Sequence, residues 1–232
     1  MAKAYSLSPF FTSAVSVDNV IFGYESRALS VLLVERGVEP FVGGWALPGE
    51  MVLPDEDLDT AAARVLRELT GLDDVYLEQV ASFGAPLRHP AGRVVTVAYY
   101  SLLPERTHPV APSGWARSVR YFDITNLPKL AFDHLEIFQR CLARLRERVR
   151  SEPLGFELLP KQFSLSELQH LYECILGHDL DKRNFRKKML SMGIVDDTGD
   201  YQENVNHRPA KLYRFNVEEY SRLSREGFSF AV

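Results

Sequence analysis

The sequence is short of cysteine, of net charge and of long apolar runs, and each shortage excludes a class of protein. Two cysteines in 232 residues, neither in a C-x-x-C pair, cannot build a disulfide framework or a thiolate zinc site. Cys141 and Cys174 both fall in helical patterns, which predicts buried free thiols in a reducing compartment. A formal charge of −4 excludes a globally basic nucleic-acid binder but leaves room for a local basic patch. No apolar run reaches the roughly 18 residues of a membrane span. The N-terminal MAKAYSLSPFF lacks the apolar core of a secretory signal. A cytoplasmic protein with no membrane partner is therefore expected. Six histidines are scattered without metal-ligand spacing, so no metal site and no resident cofactor is expected. Internal repeats and low-complexity tracts are lacking too. What is present is an ordinary globular composition, 46% hydrophobic and 25% charged, long enough for one large core or two small ones.

Strand and helix signals alternate along the first part of the chain. Ser13–Phe22, Leu29–Val34 and Val94–Leu102 read as strands. Leu58–Thr70 reads as a helix, because Leu58, Ala61, Ala62, Val65, Leu66 and Leu69 repeat at the spacing of one buried stripe. Gly71 is placed to cap it. A second helix spans about Asp133–Val149. Ser151–Lys161, with two Pro and one Gly, reads as a linker. Beyond it, Ser164 and Glu167 form a capping box and Phe163 faces Leu168 as a hydrophobic staple. Leu168, Leu171, Tyr172, Ile175 and Leu176 give that helix its apolar face, and Gly177 ends it. Asp181 caps a further helix that Gly193 ends. A short strand at Ile194 and Val195, a polar loop over Asp197–Asp200 and a strand at Ala210–Phe215 follow. The predicted architecture is α+β: an α/β/α sandwich domain on a mixed sheet over 1–150, a linker over 151–161, and a winged helix-turn-helix over 162–232.

Trp45–Leu72, WALPGEMVLPDEDLDTAAARVLRELTGL, resembles the Nudix box, G-x5-E-x7-R-E-U-x-E-E-x-G-U with U aliphatic. Aligned on Gly71, Glu56, Arg64, Leu66, Glu68 and Leu72 match, and Trp45, Leu47, Pro48 and Gly49 match the usual lead-in. Glu50 stands where the box has its first Gly. Val65 and Leu69 stand where it has carboxylates. Those carboxylates matter because, with Glu68, they occupy i, i+3 and i+4 on one helical face and offer Mg²⁺ its oxygen ligands. Two of the three are apolar here. The box positions Glu56, Arg64 and Glu68 are remnants, and none is assigned as catalytic. Mg²⁺ is implied only if the chain is a hydrolase.

Lys182, Arg183, Arg186, Lys187 and Lys188 crowd into seven residues with no acid among them. On a helical wheel Phe185, Met189 and Met192 share the side expected to face the core. Arg183, Asn184, Lys187 and Ser191 lie opposite. A recognition helix needs this division, an apolar face docked on the domain and a long-armed polar face for the major groove. Lys182, Arg186 and Lys188 suit phosphates, and His207, Arg208 and Lys211 in the wing suit the adjacent backbone or minor groove.

The combination resembles the Nudix-related transcriptional regulators, over about residues 10–216. One branch of that family senses ADP-ribose and controls NAD metabolism; a second, in Bacteroidetes-type bacteria, senses a sugar and controls arabinose genes. Phe83-Gly84, Arg93-Val94-Val95, Ala98-Tyr99-Tyr100, Phe132-Asp133-His134, Leu159-Pro160-Lys161 and Asp181–Lys187 are similar to motifs of the sugar-sensing branch. The resemblance implies a homodimer that binds operator DNA at an inverted repeat. It also implies a small-molecule effector, a pentose sugar or ADP-ribose. Trp45, Glu50, Glu68, Arg88 and Arg93 are the candidate effector residues. Asp133 and His134 form a further pair, with helix capping the alternative for Asp133. Two other functions stay open: an Mg²⁺-dependent hydrolase of the ADP-ribose pyrophosphatase type with an appended winged helix, and a protein-binding scaffold.

Overall fold

Alternation along the first strand decides where the rest of the sheet domain goes. In β1 (Ala14–Glu25), odd residues face one side and even residues the other. Val17 packs on Ala61, Ala62 and Val65 of α1 (Leu58–Thr70), and the Asn19 side-chain amide donates to Ala62 O at 2.8 Å. On the opposite face Phe22 meets Phe138 of α2 (His134–Arg148) at 6.1 Å between ring centroids. The sheet therefore carries a helix on each face. Its order is β3-β2-β1-β6-β5, with β4 paired to β1 and β7 to β2. The strands are β2 (Ala28–Arg36), β3 (Trp45–Ala46), β4 (Gly49–Met51), β5 (Leu77–Phe83), β6 (Val94–Leu103) and β7 (Ala116–Asp123). Pairs β1–β4, β2–β3 and β5–β6 are antiparallel. β1 and β6 advance together, Ala14 N–H donating to Arg93 O and the Thr96 hydroxyl reaching Ser16 O. The sheet is mixed, as expected.

This computed structural model describes residues 13–25, 27–71, 75–103, 111–112, 114–203 and 208–232. They form two compact units. The first is built on Val31–Leu102 and extends to Cys141; the second runs from Leu142 to Val232 and includes Gly23–Ser30. No helix among the described residues is long and apolar enough to cross a membrane. Cys141 is buried and Cys174 half-buried, both free thiols.

The second unit is a winged helix-turn-helix. β8 (Phe163–Ser164) leads into α3 (Leu165–Leu176). The capping box forms as read: Glu167 N–H donates to Ser164 Oγ while Ser164 N–H donates to the Glu167 carboxylate. Gly177, at φ 77°, closes α3 in the left-handed region that glycine enters without steric cost. α4 (Lys182–Ser191) follows, its first turn capped by Asp181. A three-stranded sheet ordered β8-β10-β9 completes the wing, with β9 (Val195–Tyr201) and β10 (Lys211–Phe215) antiparallel. The segment Asp197–Asp200, expected as a loop, lies inside β9. A register shift sets three residues between Asp197 and Tyr201 against Leu212 alone. Gly199, at φ 80°, gives the strand the left-handed step that such a bulge uses. α5 (Val217–Arg225) was not expected; its signal is Asn216, whose side chain accepts from Glu219 N–H as an N-cap.

The expected linker is folded. Leu154–Leu158 forms a 3-10 turn with Leu154, Gly155, Phe156 and Leu158 buried. Phe156 stacks on Phe215 at 4.3 Å and 10° and tilts against Phe163 at 5.5 Å. Pro and Gly shape this turn; they do not loosen it. Gly155 lies so close to Tyr172 that an added Cβ would come within 2.7 Å of its ring. Phe156→Ala is expected to destabilise the second unit by about 3–5 kcal/mol, read by urea unfolding. A true linker residue would change it by less than about 0.5 kcal/mol.

Candidate functional site

The first unit holds a cavity of about 160 Å³ beside β1, β4 and the start of α2. Its polar wall is organised by Asp18, a carboxylate only 6% exposed. The Thr96 hydroxyl donates to Asp18 Oδ2 at 2.7 Å. Arg88 Nη2 approaches the same oxygen to 3.6 Å, and His134 Nε2 lies 3.6 Å from Oδ1. Leu47 N–H donates to His134 Nδ1 at 2.9 Å, so that nitrogen carries a lone pair and the ring proton of neutral His134 sits on Nε2, toward Asp18. Burial holds the His134 pKa below its ordinary value, against the opposing pull of Asp18 and Asp133. Arg88 is nearly buried and gives both Nε and Nη2 to Asp133, at 2.8 and 2.7 Å. Gly49 sits opposite Asp18 in the β1–β4 register. A Cβ there would fall 2.1 Å from Asp18 Oδ1, which is why the lead-in to the box needs Gly at this position.

Aromatic rings and a second guanidinium make the other part of the lining. Phe132 stacks on His89 at 5.1 Å and 13°. Arg36 lies over Trp115 at 4.8 Å and over Phe132 at 5.0 Å. Glu50, Val38 and Met51 also face the cavity. Burial first, then Arg88 and Arg36, lower the His89 pKa.

Beside it, a cleft of about 20 Å³ lies where the box helix faces Val34, Pro48, Glu50 and Trp115. Val65 is 3% and Leu69 7% exposed, both packed into the core. Glu68 is half exposed, with Arg64 Nη1 3.6 Å away. Glu56 is held by Arg64 at 2.6 and 3.0 Å and accepts from Leu53 N–H. The donor set does not fit Mg²⁺: of three carboxylate positions on one helical face, only Glu68 carries oxygen, and a guanidinium sits beside it. Glu56 and Arg64 act as a clasp between the loop and α1.

Of the sequence-derived effector candidates, the structure brings Arg88 and Glu50 to the cavity, and Glu50 and Glu68 to the cleft. Trp45 lies in neither lining; it packs edge-on against Phe122 at 4.7 Å, beneath Arg120. Arg93 is exposed and donates to Gly84 O. Asp133 engages Arg88 through its side chain and does not serve as a side-chain cap. Asp18, Arg36, His89, Trp115 and Phe132 were missed. They come from separate segments, and only the lone buried-face Asp18 inside an apolar strand gave a signal.

In the second unit α4 buries Phe185 and Met189 and exposes Lys182, Arg183, Asn184, Lys187 and Lys188. Phe185 packs on Tyr172 at 5.6 Å. Met192 is half-buried and so only partly joins the core face. Arg186 differs from its neighbours: half-buried, it donates to Ser166 Oγ at 2.6 Å and so ties α4 to the start of α3. Lys211 is paired with Asp197 at 2.7 Å. Arg208 is exposed, and His207 lies outside the described residues.

Residues 12–141 match the NUDIX domain family, and residues 155–215 match the NrtR DNA-binding winged helix domain family. Over 220 residues the chain is 39% identical to the ADPR responsive transcriptional repressor NtrR of Acinetobacter baylyi, covering 93% of this chain and 87% of that one. The crystal structure of Shewanella oneidensis NrtR complexed with a 27mer DNA is similar with a TM-score of 0.78 and 31% identity, over 93% of this chain and 97% of that chain. The NUDIX domain of Shewanella oneidensis NrtR, in a cocrystal with ADP ribose, is similar with a TM-score of 0.54 and 32% identity, over 62% of this chain and 99% of that one.

The clasp has a pH signature. The hydrogen bond from Arg64, then that from Leu53 N–H, lowers the Glu56 pKa to about 2, below the roughly 4.3 of an unfolded chain. A depressed folded pKa contributes stability above the unfolded value and loses it as pH falls through the folded one. The stability difference between wild type and Glu56→Gln is expected to be constant from pH 7 to about pH 5. It should then shrink toward pH 2, as followed by urea unfolding across the range.

Proposed function

Because the chain belongs to the NrtR-type family of transcriptional repressors, a Nudix domain followed by an NrtR winged helix, we propose that it represses transcription by binding operator DNA and that ADP-ribose is its effector. The observation that carries this reading is the pairing of a cavity lined by charged and aromatic side chains with a box helix that lacks two of its three carboxylates. Val65 and Leu69 are buried as core, so the domain keeps a place to bind and has lost the means to activate water against a diphosphate. We therefore read the Nudix domain as a sensor and not as a hydrolase.

The relatives named above support ADP-ribose over a pentose. Several of the short motifs that suggested the sugar-sensing branch have core duties that any branch of the fold would share, whereas Phe132 and His134 of another line the cavity. Tyr99 and Tyr100 are buried on opposite faces of β6, one toward α1 and the other toward Phe22, and the Phe185 of the basic helix is its core anchor. A likeness in such residues does not discriminate ligands.

The exposed face of α4 supports direct readout by Arg183 and Asn184, with Lys182, Lys187 and Lys188 near phosphates. Arg186 also donates to Ser166 at the start of α3 and flanks the exposed face, where it remains a candidate for phosphate. A homodimer on an inverted repeat is the arrangement we propose, since a two-fold axis repeats one helix on two half-sites.

Thermal melting tests the effector. A ligand bound only by the native state at 100 times its Kd adds about 2.7 kcal/mol, so ADP-ribose is expected to raise Tm where L-arabinose does not. Release of AMP from ADP-ribose with Mg²⁺ at about 1 s⁻¹, an ordinary enzyme rate, would overturn the sensor reading. On DNA, Arg183→Ala is expected to lose about 1–3 kcal/mol of discrimination between operator and random duplex. Lys188→Ala should weaken both duplexes equally and flatten the salt dependence. Equal affinity of the wild-type protein for operator and random duplex would refute the regulator.

A further inference from the structure

The second unit has an open cleft of its own, of about 550 Å³, along α3. Its lining includes His170 and Glu173 of α3, Lys182 at the start of α4, Gln202 and Arg208 on the wing side, and Arg27. Arg27 stands in the two-residue step between β1 and β2, within Gly23–Ser30, a segment of this unit. The acids of the wall are already engaged. Glu173 accepts from Leu180 N–H and from the Gln169 amide, and Glu167 accepts from Ser164 N–H. Arg27 and Lys182 are exposed, and neither has a carboxylate within ion-pair distance among the described residues. The one aliphatic side chain in the lining is Ala210. The cleft therefore lacks the apolar wall that encloses a small molecule.

Arg27 is an unusual residue for its place, and it is held there. A two-residue step between neighbouring strands is ordinarily filled by Gly, Asn or Asp, which enter the left-handed region with little crowding. Arg27 adopts φ 65°, where its Cβ crowds the following carbonyl. The turn is fastened to α3 at two points. The Tyr24 hydroxyl lies 3.0 Å from His170 Nδ1, with the two rings 6.3 Å apart, and the Cys174 thiol donates to Arg27 O at 3.6 Å. Burial first, then the Arg27 guanidinium, lower the His170 pKa. The imidazole thus adds no charge at neutral pH, and the guanidinium stands near enough to α3 to act on it. Backbone strain of this kind persists where the surroundings over-determine it, and it clusters at ligand clamps.

We propose that this cleft seats the sugar–phosphate backbone of DNA, and that Arg27, from outside the helix-turn-helix, grips a phosphate there together with Lys182. This rests on the DNA-binding reading of α4 and extends its surface to a turn between two strands. In a helix-turn-helix the second helix lies in the major groove while the first crosses the backbone. Here α3 is the first helix, and the cleft runs along it. A guanidinium offers a planar fork of N–H donors that matches phosphate oxygens, and an ammonium adds a point charge. An open, polar wall suits a wet, charged backbone. The fastening of the turn to α3 fixes where Arg27 is presented.

Fluorescence anisotropy of the full chain on operator duplex and on a random-sequence duplex, over a salt series, tests this. A backbone contact does not read sequence. Arg27→Asn is therefore expected to weaken both duplexes by the same factor, about five- to tenfold per protomer at 0.1 M salt, and to lower the slope of log affinity against log salt by about 1. Asn tolerates positive φ, so Tm should not fall. If Arg27→Asn does not fold, Arg27→Gly carries the comparison. Arg27→Lys keeps the charge and is expected to keep the salt slope. Unchanged affinity and slope in a folded Arg27→Asn overturn the contact and leave the repressor reading standing. A loss that leaves the slope unchanged also overturns it, since Arg27 would then only shape the surroundings of α3. Heat from inorganic phosphate that Arg27→Asn abolishes, with both duplexes unaffected, makes the cleft a small-anion site and overturns the DNA assignment. If wild type binds the two duplexes equally and Arg27→Asn weakens both with the lower slope, the contact stands and the repressor reading falls. If wild type binds neither duplex, both fall.

Discussion

A carboxylate buried in a β-sheet has to be met by donors, and the first unit is arranged around meeting one. Asp18 points from a central strand into the interior, and its oxygens are approached from three other segments. Thr96 comes from β6, Arg88 from the loop after β5, and His134 from the first residue of α2; Gly49 of β4 lies flat against it. An unpaired buried charge costs several kcal/mol, so these segments cannot drift apart independently. Asp133 binds Arg88, Arg88 approaches Asp18, and His134 is oriented by the Leu47 amide. The cavity walls are thus fixed by the same bonds that satisfy the core.

The box helix shows the complementary change. In a metal-binding helix of this register, three carboxylates on one face must stay wet enough to hold an ion. With Val65 and Leu69 in their place, the same face can be driven into the core. Val65 joins Val17 and Val97, and Leu69 joins Val34, Ala46 and Ala131. Apolar burial of this kind adds about 25 cal/mol for each Å² removed from water. Replacement of the two carboxylates is therefore coupled to a gain in packing. Restoring the carboxylates would bury charge in that packing.

These two features were unequally legible in the sequence. Helix α1 was read residue for residue, because period, cap and box agree locally. The capping box of α3 and the basic outer face of α4 were legible for the same reason. The segment after α2 was misread because Pro and Gly signal departure from helix and strand, and a packed 3-10 turn departs from both. Its aromatic partner Phe215 is far away in the chain. The bulged end of β9 was misread because Asp-Thr-Gly-Asp has turn composition, while the deciding pairing partner, Leu212, lies beyond it. The wheel puts Arg186 on the flank of the basic face; its bond to Ser166 depends on where α3 lies and was not legible. The cavity was the least legible part. Asp18, Arg36, Arg88, Trp115 and Phe132 come from five segments with no common period. Their convergence is a property of the sheet order.

The difference between a hydrolase and a sensor is a difference in what binding energy is used for. An enzyme gains rate only from contacts that strengthen in the transition state; equal binding of substrate and transition state lowers KM and leaves kcat unchanged. A sensor has the opposite requirement. Its ligand must be held firmly in the ground state, and one functional state of the protein must hold it better than the other. The groups in this cavity suit the second requirement. Arg36 lies over the Trp115 and Phe132 rings, Arg88 is paired with Asp133, and burial lowers the His134 pKa. The box helix, for its part, packs Val65 and Leu69 into the core at two of the three positions where a metal-binding helix carries carboxylates. Binding contacts that would be wasted in a catalyst are what a transcriptional switch needs from the same fold.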